Sequence, residues 1–397
     1  MDLFKERGVP LDQQRFTFRE MAGPPYSKLD DDAFTRVRVI LMNGIESEAL
    51  RFSHVMARAS DGGLREILAR LRRSEQHQQT MVNWMNPPDQ SPLETTIGYE
   101  QVAIEVTAHL AQHEPDPYLA QVYRFGLLED FDHMYRYAAL LDRVEGKDAN
   151  NLLQSYTDIR PGRPTAVEHR DPEDDVRRPY DRTVAHPLSK LNAMTLVAGE
   201  YQTHDYYMTV GPFFSDPVAR ALYAEIASIE EQHVTQYESL ADPAESWLEK
   251  WLLHEATEVW NYWSCLQTES NPRAKAIWDR FLAYELGHLQ VAMEAFQRLE
   301  KRDAGEVLPA TLPDPIRYES HRQFVKETLE REVGLRASGK DIVDGAMDPQ
   351  RSVDYRAYLR SQGTPSEEIA QGYRWRPGTE LVGRAAAVGA SWEGRIQ

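Results

Sequence analysis

Residues 272–300 read PRAKAIWDRFLAYELGHLQVAMEAFQRLE. Asn271 stands before Pro272, and an Asx N-cap followed by proline at the first helical position is a strong start signal. From there apolar side chains recur every three or four residues, as they do on one face of a helix. Phe281, Leu282, Leu289, Ala292 and Phe296 form the stripe. Glu285 and His288, three residues apart and so on one helical face, fall in the middle of that stripe and not on the polar face. A carboxylate turned into a core must be compensated, because an unpaired buried charge is costly even after relaxation. This segment therefore predicts a long helix that aims ionisable groups at its own core.

The same pattern extends through most of the chain. Residues 32–60, 62–85, 92–114 and 117–145 read as four helices, and 187–213, 217–241, 245–269 and 272–301 as four more. Asp61-Gly62, Asp116-Pro117 and Asp216-Pro217 mark tight starts within pairs, and short connections make paired helices antiparallel neighbours. The fold class expected is all-α. Two tandem four-helix bundles, 30–146 and 186–301, are joined by a polar linker, 147–185, and followed by a partly helical C-terminal extension, 302–397. Within that extension a charged helix near 316–336 and shorter pieces near 350–372 are expected, with the last twenty residues irregular.

Shifting 32–145 onto 187–300 by 155 or 156 residues brings like onto like. Glu100 falls on Glu255, His133 on His288, Asp130 on Glu285 and Asp116-Pro117 on Asn271-Pro272 at 155, and His77 falls on His233 at 156. Several matches at one shift indicate an internal duplication. In the second copy the order is Glu200, Glu230-x-x-His233, Glu255, Glu285-x-x-His288, with 30 residues from Glu200 to Glu230 and 30 from Glu255 to Glu285. Four inward carboxylates would repel one another unless cations sit between them. Four carboxylates and two imidazoles suit two iron ions, or a manganese–iron pair.

These residues carry a resemblance. Residues 187–301 resemble the ferritin-like di-iron carboxylate superfamily of ferritins, rubrerythrins, ribonucleotide reductase small subunits and related oxygenases. The resemblance implies Glu200 and Glu255 as single ligands, and Glu230/His233 and Glu285/His288 as paired ligands. It implies Glu258, one turn from Glu255, as an extra or shifting ligand. His204, one turn from Glu200, is either an additional ligand or a neighbour of one. The activity implied is an oxidoreductase that reacts its reduced metal pair with O2 or peroxide, using an unknown reductant or small organic substrate. An iron-handling, ferroxidase-like protein and a non-catalytic scaffold with a vestigial site remain as alternatives. The first copy departs from the pattern: Ser74 stands where Glu230 would be. Its degenerate set is Glu46 (or Glu48), His77, Glu100, Asp130 and His133, with Glu129 and Asp132 beside it but off the His133 face.

Composition narrows the rest. With 397 residues the chain has room for two or three domains. Its 63 acidic against 45 basic residues give a formal charge of −18, which disfavours nucleic acid and anionic membranes as partners. One cysteine excludes an internal disulfide and a thiolate zinc site. A metal must then be held by nitrogen and oxygen. No apolar run reaches 18 residues, and MDLFKERGVP has no signal-peptide core. A cytoplasmic location and a possible homodimer are expected. His254-Glu255-x-x-Glu258 lacks the second histidine of a zincin. Cys265 reads as a small buried apolar residue, and Tyr201, Tyr237, Trp260, Tyr262 and Tyr284 read as aromatic packing.

Overall fold

A computed structural model describes residues 1–30, 32–160, 168–339, 341–345 and 347–373. The expectation of irregular chain over the last twenty residues lies outside the described residues. Among those described, the elements in chain order are α1 (Phe18–Ala22), α2 (Ala33–Ala59), α3 (Gly62–Asn83), α4 (Pro92–His113), α5 (Pro117–Glu145) and α6 (Asn150–Leu153). They continue with α7 (Pro187–Val210), α8 (Pro217–Glu238), α9 (Trp247–Thr268), α10 (Pro272–Glu300) and α11 (Arg322–Glu332). Strands β1 (Leu335–Ser338) and β2 (Asp341–Asp344), then α12 (Gln350–Leu359) and α13 (Pro365–Ala370), complete the order. The protein is mostly helical, as expected. Among the described residues one small antiparallel hairpin, with Leu335 opposite Asp344, accompanies the helices and leaves the all-α class unchanged.

The helix starts follow from side-chain chemistry. Asp32, Asp61, Asp116 and Asn271 each accept from backbone N–H groups of the first turn. Ser91 with Glu94, and Ser246 with Glu249, form reciprocal capping boxes. At 29 residues, α5 and α10 are about 44 Å long.

The chain divides into two compact units, and they are not the consecutive bundles read from the sequence. The first unit is Met1–Pro88, Pro179–Gln202 and Tyr237–Tyr318; the second is Asp89–Arg178, Thr203–Gln236 and Glu319 onward. The first unit thus joins α2 and α3 to α9 and α10, and the second joins α4 and α5 to α8. Helix α7 passes from the first unit to the second at Gln202–Thr203. Consecutive pairing fails because short loops fix only the partners within a helix pair. Which pair packs on which is decided by the apolar faces, which a short loop does not specify.

In the first unit the core holds Val37, Leu41, Ile45, Leu68, Leu71, Trp251, Tyr262, Trp278, Phe281 and Leu289. The N-terminal segment packs on α10. Val9 N–H donates to Ala283 O at 2.7 Å, and a Cβ on Gly8 would lie 2.0 Å from Gly287 N. Only a residue without a Cβ permits that approach, and Gly287 faces Val9 O in the same way. In the second unit α4, α5 and α8 enclose Ile97, Ile104, Phe131, Met134, Leu222, Tyr223 and Ile226, joined by Val325 of α11 and Ile369 of α13. The presumed linker is not a free excursion. Glu168, His169, Arg170 and Asp175 are all buried, and Arg170 N–H donates to Gln232 of α8. The C-terminal extension is likewise divided, 302–318 going to the first unit and the described residues from Glu319 to the second.

Candidate metal centres

In the first unit six ionisable groups meet at the centre of four helices: Glu46 of α2, Glu75 of α3, Glu255 and Glu258 of α9, and Glu285 and His288 of α10. All are buried. They fall into two sets of three, Glu75, Glu255 and His288, and Glu46, Glu258 and Glu285. Within each set one ligand atom per residue lies within 4.8 Å of the others. Each set has the donors and spacing that could hold one cation.

The hydrogen bonds around this cluster are few and directional. Gln78 Nε2 donates to Glu46 Oε1 at 3.0 Å and also to Glu285 Oε1. The Tyr262 hydroxyl donates to Glu46, and Trp251 Nε1 to Glu255 Oε1 at 2.5 Å. What is missing is more informative. One oxygen each of Glu46, Glu75 and Glu255, and both oxygens of Glu258, have no hydrogen-bond partner. Among the described residues no lysine or arginine forms an ion pair with any of the five carboxylates. Burial, then the charges of Glu285, Glu255, Glu75 and Glu46, push the Glu258 carboxyl well above the ordinary range. Burial and Glu285 do the same to Glu46, and burial and Glu255 to Glu75. Glu255 is pushed up to about 8, chiefly by burial.

His288 is oriented from the N-terminal segment. Gln14 Nε2 donates to Val9 O at 2.9 Å and Tyr284 O at 3.1 Å, which fixes the amide with Oε1 toward His288 Nε2 at 2.6 Å. The other ring nitrogen, Nδ1, lies 2.9 Å from Glu285 Oε2. Both nitrogens face oxygen acceptors, so both carry protons. Burial lowers the His288 pKa, but Glu285 and Glu255 outweigh it and raise the net value.

The second unit also gathers buried carboxylates and histidines. Glu100 of α4, His133 of α5 and Glu230 of α8 form one set, and Asp130, Glu230 and His233 lie together in another. His133 Nδ1 is 3.1 Å from Glu230 Oε1. His233 Nδ1 is 3.3 Å from both Asp130 Oδ1 and Glu230 Oε2. The Tyr207 hydroxyl donates to Glu100, and the buried Tyr137 hydroxyl has no hydrogen-bond partner. Burial raises Glu230, but His133 and His233 overcome it and hold it far below the ordinary carboxylate range.

His233 Nε2 points the other way, to Glu129 Oε2 at 2.8 Å. Arg170 donates to both Glu129 oxygens at 2.6 and 3.3 Å and to Asp175 at 2.7 Å. Burial pushes Glu129 up, yet Arg170 and His233 hold it at about 2. An ionised Glu129 keeps the proton on Nε2 and turns Nδ1 toward Asp130 and Glu230.

Several sequence expectations are corrected here. The six residues read as one site do not share a unit. Glu255, Glu285 and His288 belong to the first, and Glu230 and His233 to the second. Glu200 is buried on the part of α7 assigned to the first unit. The degenerate set divides too, with Glu46 in the first unit and Glu100, Asp130 and His133 in the second. His77 is in neither cluster; it is half-buried with its ring edge-on to Phe16. His204 is half-buried and pairs with Asp205 at 3.3 Å. Glu258 does join the first cluster. Glu48 does not; it lies apart, pushed to about 7 by burial.

Glu75 was missed, although the sequence holds the signal. A uniform shift of 155 places Glu75 on Glu230 and Gln78 on His233, whereas the 156 shift used for His77 slipped α3 by one residue. Asp132 pairs with Arg136 at 3.1 Å, off the cluster as expected, whereas Glu129 supports His233. His254 stacks on Phe52 at 4.0 Å, and burial drives its pKa to about 3. Cys265 is buried against the Tyr318 hydroxyl, its thiol pushed up to about 12 by burial. Among the described residues no helix is long and apolar enough to cross a membrane.

Comparison with protein-family models, with curated proteins and with solved structures finds no match for this chain.

Proposed function

We propose that the protein is a di-metal carboxylate oxidoreductase of the ferritin-like kind, holding a pair of iron ions, or manganese and iron, in each unit. The observation that carries this is Glu258, a fully enclosed carboxylate with neither oxygen hydrogen-bonded, facing four other carboxylates with, among the described residues, no lysine or arginine paired to any of them. Buried charge of one sign is retained in a fold when a cation completes it. The donor set is all oxygen and imidazole nitrogen, which fits iron and manganese.

The first pair would be held by Glu75, Glu255 and His288, and by Glu46, Glu258 and Glu285. In the second unit the residues are Glu100, His133 and Glu230, with Asp130 and His233. When bound, such metals supply the electrons for reaction with O2 or peroxide. The chain's own residues do the rest. Gln78 and Tyr262 hold Glu46 and Glu285 by donated hydrogen bonds, and Trp251 holds Glu255. These donors stabilise the ionised carboxylates and fix which oxygen remains open. Gln14 and Glu129 keep a proton on Nε2 of His288 and His233, so that Nδ1 is the nitrogen offered. Trp251, Tyr262, Phe281 and Leu289 keep the first centre dry, which strengthens every electrostatic interaction inside it.

Anaerobic reconstitution with ferrous iron, followed by metal analysis and oxygen-uptake measurement, tests this reading. Metal should be retained after gel filtration, and oxygen consumption should continue when reductant is supplied. A protein that retains no metal would refute the proposal.

A further inference from the structure

The two centres are built alike but not from like donors. The uniform 155-residue correspondence places Gln78 where the second unit has His233. In the first unit the Gln78 amide nitrogen is committed to Glu46 and Glu285 as a hydrogen-bond donor. The cluster therefore offers five carboxylates and one imidazole. The second unit's own helices α4, α5 and α8 supply two imidazoles, His133 and His233, beside the carboxylates Glu100, Asp130 and Glu230.

The imidazoles also differ in their support. His288 Nε2 faces the neutral amide of Gln14, whereas His233 Nε2 faces Glu129, kept ionised by Arg170. A carboxylate behind an imidazole raises the basicity of the ligating nitrogen more than an amide does. The second unit thus has more nitrogen donors, and one of them is strengthened.

We infer that the two units select different metals, the oxygen-rich first centre favouring manganese and the imidazole-rich second centre favouring iron. Oxygen donors suit manganese and imidazole suits iron. Iron(II) binds nitrogen and oxygen sites more tightly than manganese(II) in general, so the inference concerns the ratio between the two centres and not either affinity alone. It rests on the reading that both clusters hold metal.

The test loads metal-free protein anaerobically with equal excesses of manganese(II) and iron(II). Anomalous scattering on either side of each absorption edge then gives the manganese-to-iron ratio at each centre in crystals. The ratio in the first unit should exceed that in the second by roughly tenfold, the lower end of what a partner behind a ligating imidazole is worth in metal affinity. Equal ratios, or a higher one in the second unit, would overturn the inference while leaving the metal reading intact. Metal at neither centre would overturn both. Gln78→His should lower the manganese share of the first centre, and His233→Gln should raise that of the second. The second variant decides the matter if the first does not fold, and an unchanged share in a folded variant counts against the inference.

Discussion

Arg170 is wholly buried and donates to two buried carboxylates, Glu129 and Asp175. Removing one member of such a network leaves an uncompensated charge, so Arg170→Met should cost roughly 3–5 kcal/mol of stability, read as a shift in the urea midpoint. The same residues set a pH response. Glu129 has a folded pKa of about 2, below its ordinary 4.5. Its contribution is therefore present above 4.5 and is lost as the pH falls toward 2. Glu255 works in the opposite sense. Its folded pKa is raised to about 8, so the folded state binds the extra proton, and metal-free stability falls as the pH rises from 4.5 through 8. Urea midpoints measured across that range should decline for metal-free protein and stay level once metal is bound. A level profile for the metal-free protein would contradict the burial of these carboxyls as a set.

Helices were legible where local chemistry decides them. Asn271-Pro272, Asp116-Pro117 and the Ser246/Glu249 box mark starts that the structure reproduces, because caps act within one turn. The inward placement of Glu285 and His288 was legible from the stripe around them. The pairing of hairpins was not. Nothing in a short loop says which distant pair will cover a given apolar face. Glu75 was lost to a one-residue slip, which on a helix turns the face by about 100°. The Gly8–Gly287 crossing was also invisible, since its two strands of chain are far apart in sequence. It is testable as an element: Gly287→Ala places a Cβ 2.1 Å from Val9 O. That substitution should destabilise the fold by about 1–3 kcal/mol and, by lifting Gln14 from His288, weaken metal retention in the first unit. A variant with unchanged stability and metal content would show that the crossing does not support the site.

For the whole molecule, the first unit is assembled from three separate segments, Met1–Pro88, Pro179–Gln202 and Tyr237–Tyr318, with stretches of the second unit between them in the chain. Residues 186–301 alone contain α9 and α10 without α2 and α3. Expressed by themselves they should not form a stable metal-binding bundle, which circular dichroism and metal analysis would show. The excess of 18 acidic charges also acquires a partial structural meaning. Five carboxylates face the first centre alone, so part of the surplus is directed inward. Metal content of paired variants tests the central claim most directly. Glu75→Ala with Glu285→Ala, and separately Glu100→Ala with Glu230→Ala, should each remove about half of the iron retained by reconstituted protein, because each pair empties one helical centre. Loss of all the iron from one pair and none from the other, or no loss from either, would contradict two separate centres.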